Sequence, residues 1–89
     1  MADKYNVLVV EDEQPMLEAI KVKLENSGFN VATARTVEQA LDYLDSGVAT
    51  DAIWLDHYLL GQKDGLSLLT QLKSTEGKWR KIPVFVVSN

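Results

Sequence analysis

Two short stretches of the chain are apolar without interruption, Val7-Leu8-Val9-Val10 and Ala52-Ile53-Trp54-Leu55, and the residues between them carry helical spacing. A strand with one wet face alternates apolar and polar positions. A strand that is apolar throughout is covered on both faces, the mark of a parallel sheet with helices packed on either side. On this basis the pattern predicts strands over Tyr5–Val10, Phe29–Ala34, Asp51–Leu55 and Ile82–Val87, with Pro83 near the start of the last.

Three helices are expected between the strands. The first carries Leu17, Ile20 and Leu24 on one face and has Pro15 in its first turn, where the missing N–H has no partner in any case. It ends at Asn26-Ser27-Gly28, with Gly28 suited to a left-handed cap. The second is opened by Thr36 and Gln39, a T-x-x-Q capping box, presents Val37, Ala40, Leu41 and Leu44, and is broken by Ser46-Gly47. The third is expected after a polar loop, His57–Gly65, with Asp64 as cap and Leu66, Leu69 and Leu72 as its apolar face. Ser74–Lys81 reads as a polar connection. The alternation of strand and helix predicts an α/β domain spanning residues 1–89, with a doubly wound parallel sheet of four strands and three helices.

Composition narrows the function classes. A chain of 89 residues buries only about 60–65% of its unfolded surface, so every structural layer matters. The absence of Cys excludes disulfides and thiolate metal sites, and a single His excludes a His-rich zinc site. A net charge of −4 argues against a nucleic-acid surface. No apolar run approaches the roughly 20 residues that span a bilayer, and the N-terminus shows no apolar signal segment, so a cytoplasmic protein is expected.

The candidate chemistry lies where the apolar runs end. Glu11 and Asp12 close the first and Asp56 closes the second. Parallel neighbours end at the same edge of a sheet, so the three carboxylates are expected in one crevice, the edge at which open α/β sheets bind ligands. Crowded carboxylates repel, and a hard divalent cation such as Mg²⁺ relieves them. Taken singly, a Glu-Asp pair after a strand is more often a solvated loop; the alignment with Asp56 favours the site. His57 is expected to face solvent, and Trp54 and Trp79 to be packing residues. Lys78-Trp79-Arg80-Lys81 reads as a solvated connection.

The combination V-L-V-V-E-D-E, I-W-L-D-H-Y-L-L-G-x-x-D-G and I-P-V-F-V-V-S-N, in that order and spacing over essentially the whole chain, resembles the receiver domain of two-component response regulators. The resemblance implies a flavodoxin-like fold, and phosphorylation of an aspartate by a histidine kinase or phosphotransfer protein with Mg²⁺. It implies a signalling switch rather than an enzyme. Carried onto this sequence, Asp56 is the phosphoacceptor. Asp12 is a direct metal ligand, Glu11 binds mostly through water, and the backbone carbonyl of Tyr58 is the third protein ligand. Ser88 is the hydroxyl that meets the phosphoryl group. Leu60 and Asn89 occupy positions where the family often has Pro and a small residue.

The resemblance ends with the chain. The family's fifth strand, its phosphoryl-binding Lys and its last two helices have no counterpart among these residues, and Lys81 lies at the opposite edge of the sheet. Two expectations follow. A small phosphodonor should modify Asp56 of the 89-residue chain poorly or not at all. The chain should also self-associate as a homodimer through the fourth strand and the helix face around Met16, Ile20 and Leu24, left partly uncovered. A truncated receiver acting as a dimerising module with impaired or no phosphorylation is therefore the alternative reading. A phosphatase with an Asp nucleophile is disfavoured, since Asp56-His57-Tyr58 lacks the second Asp of a D-x-D arrangement.

Overall fold

The computed structural model describes residues 4–56, 63–73 and 79–87, with the backbone alone for 63–66. Its elements, in chain order, are β1 (Asn6–Val10), α1 (Gln14–Asn26), β2 (Asn30–Ala34), α2 (Val37–Asp45), β3 (Ala52–Asp56), α3 (Lys63–Leu72) and β4 (Val84–Val87). All pairings are parallel, in the order β2-β1-β3-β4. The chain leaves β1 toward one side of the sheet to make β2, then crosses to its other side for β3. The reversal of winding direction lies between β1 and β3.

The Val7–Val10 run is buried on both faces, as its patterning requires, whereas in the second run Ile53 and Leu55 are buried and Ala52 and Trp54 only half-buried. Alternate residues point to opposite sides. Leu8, Val10, Ile53 and Leu55 join Ala34, Ala40, Leu44, Leu68 and Leu72 in a core beneath α2 and α3. Val7 and Val9 join Leu17 and Ile20 beneath α1, with Trp54 packed at the margin. Trp79 packs against the first of these cores, so both tryptophans are packing residues as expected.

Helix termini are built largely from the residues the spacing singled out. Gly28 adopts φ +98°, and α1 closes with the Phe29 N–H donating to the Leu24 carbonyl and the Gly28 N–H to that of Glu25, at 3.1 and 3.0 Å, a Schellman ending. At α2, Thr36 Oγ1 accepts from the Gln39 N–H at 3.0 Å. The reciprocal bond departs from the expected box: Gln39 Oε1 accepts from the Arg35 N–H at 2.8 Å, one residue upstream of the cap.

Several boundaries are corrected. β1 begins at Asn6, β2 at Asn30 and β3 at Ala52, and β3 runs on to include Asp56. β4 begins only at Val84 because Pro83 has no N–H to give the ladder; its carbonyl accepts from Ile53 at 3.0 Å. α3 spans Lys63–Leu72, which places Asp64 within the helix rather than at its cap. The uncovered face of α1 is narrower than expected. Ile20 is 6% exposed, pressed onto Val7 and Val9, whereas Met16 and Leu24 are half-buried.

Candidate functional site

The strand register assembles the site. Val10 pairs with Leu55 and with Ala34, so one residue further along the parallel strands Glu11 stands between Asp56 and Arg35. The ladder continues that far, with the Glu11 N–H donating to the Ala34 carbonyl at 3.0 Å. By alternation Glu11 and Asp56 share the α1 side of the sheet with Val9 and Trp54. Carboxylate oxygens of Glu11, Asp12 and Asp56 come within 4.8 Å of one another. The three acids named from the sequence are therefore brought together, at the point where the winding reverses and α/β sheets open a crevice.

The three differ in their surroundings. Glu11 is 2% exposed and Asp56 is 5% exposed, while Asp12 is the most open to solvent. Glu11 Oε2 accepts from the Glu13 N–H at 3.0 Å. Burial pushes the Glu11 carboxyl above the usual glutamate range; the hydrogen bond to Asp12 and the charges of Asp56 and Asp12 act in the same direction, against the Glu13 N–H. A group of acids that raises the proton affinity of one member is short of positive charge. Mg²⁺ takes one or two carboxylates and keeps several waters, so the donor set and its spacing fit a divalent cation, with Asp12 and Asp56 as direct carboxylate candidates.

Arg35 was not anticipated. Its guanidinium donates through Nε and a terminal nitrogen to the Asp12 backbone carbonyl, at 3.3 and 3.0 Å. The available signal was its position immediately after the second strand, which in parallel register falls level with Glu11. The Tyr58 carbonyl and the Ser88 hydroxyl, together with His57, Leu60 and Asn89, lie outside the described residues. Lys81 precedes β4, at the sheet edge opposite the acids.

Away from the site, the α1 side carries an apolar groove of about 420 Å³ lined by Val7, Leu24, Phe29, Ala52, Trp54, Phe85 and Val87. Phe85 is 58% exposed. Among the described residues, no helix is long and apolar enough to cross a membrane.

Residues 7–89 match the family model for the response regulator receiver domain. The chain is 38% identical over 69 residues to the transcriptional regulatory protein CpxR of Escherichia coli, an alignment covering 78% of this chain and 28% of that protein. It is 33% identical over 78 residues to the alginate biosynthesis transcriptional regulatory protein AlgB of Pseudomonas syringae, covering 88% and 17% respectively. The chain thus spans less than a third of these regulators' length. A solved response regulator receiver protein from Pseudomonas putida superposes with a TM-score of 0.81 at 27% identity, covering 99% of this chain and 70% of that one.

Proposed function

The chain belongs to the response regulator receiver domain family, and from that premise we propose that it is a cytoplasmic phosphoacceptor of a two-component pathway, modified on Asp56. The observation that carries the reading is the convergence of Glu11, Asp12 and Asp56 within 4.8 Å at the reversal between β1 and β3. The donor is a phosphohistidine of a histidine kinase or phosphotransfer protein. An Asp56 carboxylate oxygen forms the new bond to phosphorus, the phosphorus–nitrogen bond breaks, and the departing imidazole retains that electron pair.

A carboxylate is a weak nucleophile, so positioning and charge neutralisation carry this transfer. Burial at the strand end holds Asp56 in one orientation. Asp12 and Asp56 would hold Mg²⁺, with Glu11 acting through water and the Tyr58 carbonyl completing the protein ligands. Bound there, the ion neutralises phosphoryl oxygen charge. The Ser88 hydroxyl donates to a phosphoryl oxygen. The chain turns over no separate substrate; it is a switch, not an enzyme.

Intact-mass measurement after treatment with acetyl phosphate tests the reading. Mg²⁺-dependent addition of one phosphoryl group, to low stoichiometry, is expected on the wild type and not on Asp56→Asn. Addition to both proteins would overturn it, whereas addition to neither would favour the alternative of a dimerising module with impaired or no phosphorylation.

A second reading rests on a different observation. β4 is apolar yet open, with Phe85 58% and Val86 39% exposed, and it borders the apolar groove. In this reading the 89-residue chain forms a homodimer that covers β4 and the groove together, and acts by association.

A further inference from the structure

The acidic loop is tied to the next helix by a relay of side-chain bonds. Gln39 in the first turn of α2 accepts from the Arg35 N–H at 2.8 Å. The Arg35 guanidinium in turn forks onto the Asp12 carbonyl at 3.0 and 3.3 Å. Asp12 follows the last residue of β1 by two positions and precedes α1, in the short non-repetitive stretch between them. Glu11 is held by the ladder bond to Ala34, and Glu13 donates to the Glu11 carboxylate. The Asp12 carbonyl and the Glu13 N–H belong to one peptide unit, which is thus held from two sides, its N–H by the Glu11 carboxylate and its carbonyl by the Arg35 fork. A charge-assisted contact from two nitrogens onto one oxygen is stronger and more directional than a single bond, so together with the Glu13 N–H bond it sets which way the peptide, and with it the Asp12 side chain, is turned.

We propose that Arg35 is a positioning residue for the divalent-cation site: it clamps the Asp12 backbone so that the carboxylate is held toward Asp56, and Gln39 holds Arg35 for that task. The inference rests on the metal-site reading above, with Asp12 as a ligand. Arg35 itself touches no reacting atom.

Two effects of removing Arg35 oppose each other. Loss of the clamp leaves the Asp12 peptide held from one side alone and weakens cation binding. Loss of a positive charge beside three acids strengthens it. Salt separates them, because at 1 M the Debye length is about 3 Å, which screens the charge and leaves the short hydrogen bonds in place.

The test is Mg²⁺ titration of the 89-residue chain by calorimetry in 1 M KCl, with thermal melting in EDTA as a check on folding. Arg35→Ala is expected to raise the Mg²⁺ dissociation constant about three- to tenfold, the span of one typical net hydrogen bond. Its melting temperature in EDTA should stay at the wild-type value, since the side chain is exposed. Arg35→Lys should recover part of the affinity, because an ammonium still donates one bond to the carbonyl but cannot fork. Wild-type affinity in Arg35→Ala, alongside lost binding in Asp12→Ala, would overturn the positioning role while leaving the metal site standing. Equal binding by the wild type and Asp12→Ala, or none by either, would overturn both.

Discussion

At the residue scale, Glu11 shows how one side chain carries a charge imbalance of the whole site. Its carboxyl is buried beside two other acids and titrates above the usual range. The folded chain therefore binds the Glu11 proton more tightly than the unfolded chain. The resulting stability is fully present below about pH 4.5, the ordinary glutamate value, and is lost as the pH rises through the higher folded-state value. Glu11→Gln keeps the acceptor for the Glu13 N–H and removes the charge. Without divalent cation it should melt a few degrees above the wild type at pH 7, since about 1 kcal/mol moves the Tm of a chain this size by roughly 4–8 °C. Melting curves from pH 4 to 8 in EDTA check this; the gap should close toward pH 4, and a gap independent of pH would contradict it. Asp12→Ala tests the ligand assignment separately. Mg²⁺ titration followed by tryptophan fluorescence should saturate in the wild type and weaken by at least tenfold in the variant, about 1.4 kcal/mol.

At the element scale, the termini of α1 and α2 are where local sequence and tertiary geometry agree most closely. Gly28 sits at φ +98° with open space around the position of a Cβ. Gly28→Ala therefore meets no steric obstacle, and its cost is backbone strain alone, about 1–2 kcal/mol. Urea denaturation should show a lower midpoint with an unchanged slope; a changed slope would instead indicate an altered unfolded or native compactness. The second helix also shows where local reasoning stops. The T-x-x-Q spacing correctly marks Thr36 as the cap, but the Gln39 side chain bonds Arg35 rather than Thr36. The choice between two adjacent N–H groups depends on where β2 delivers the chain into α2, and Arg35 is committed to Asp12 from another element.

At the scale of the whole molecule, the two sheet faces are unequally covered among the described residues. α2 and α3 close one face over a continuous core, while α1 lies over β1 and β2 on the other and leaves the Trp54–Phe85 region as a groove. Among the described residues, Trp54 Nε1 is buried without a hydrogen-bond partner. β4 adds an apolar strand beside this groove, and such edges template pairing between chains. Sedimentation of the 89-residue chain should show a concentration-dependent dimer that Phe85→Lys returns to monomer. A monomer at every concentration would eliminate the dimeric reading.

Much of this arrangement is legible in the sequence for a local reason. Uninterrupted apolar runs such as Val7–Val10 can be satisfied only between two helical layers, and parallel strands end at one edge, so Glu11, Asp12 and Asp56 had to meet. The same residues carry the resemblance that the family match bears out. Apolar patterning placed Ile20 on the inner face of α1 but could not settle how completely it is buried, because that depends on how far α1 leans over β1. Nor could it reveal the clamp from Arg35 to Asp12, 23 residues apart. An arginine after a strand looks like any solvated cation until the β1–β2 register sets it level with Glu11. The acids follow from local chemistry, whereas the Arg35 hold on Asp12 exists only once the ends of β1 and β2 and the start of α2 have been brought together.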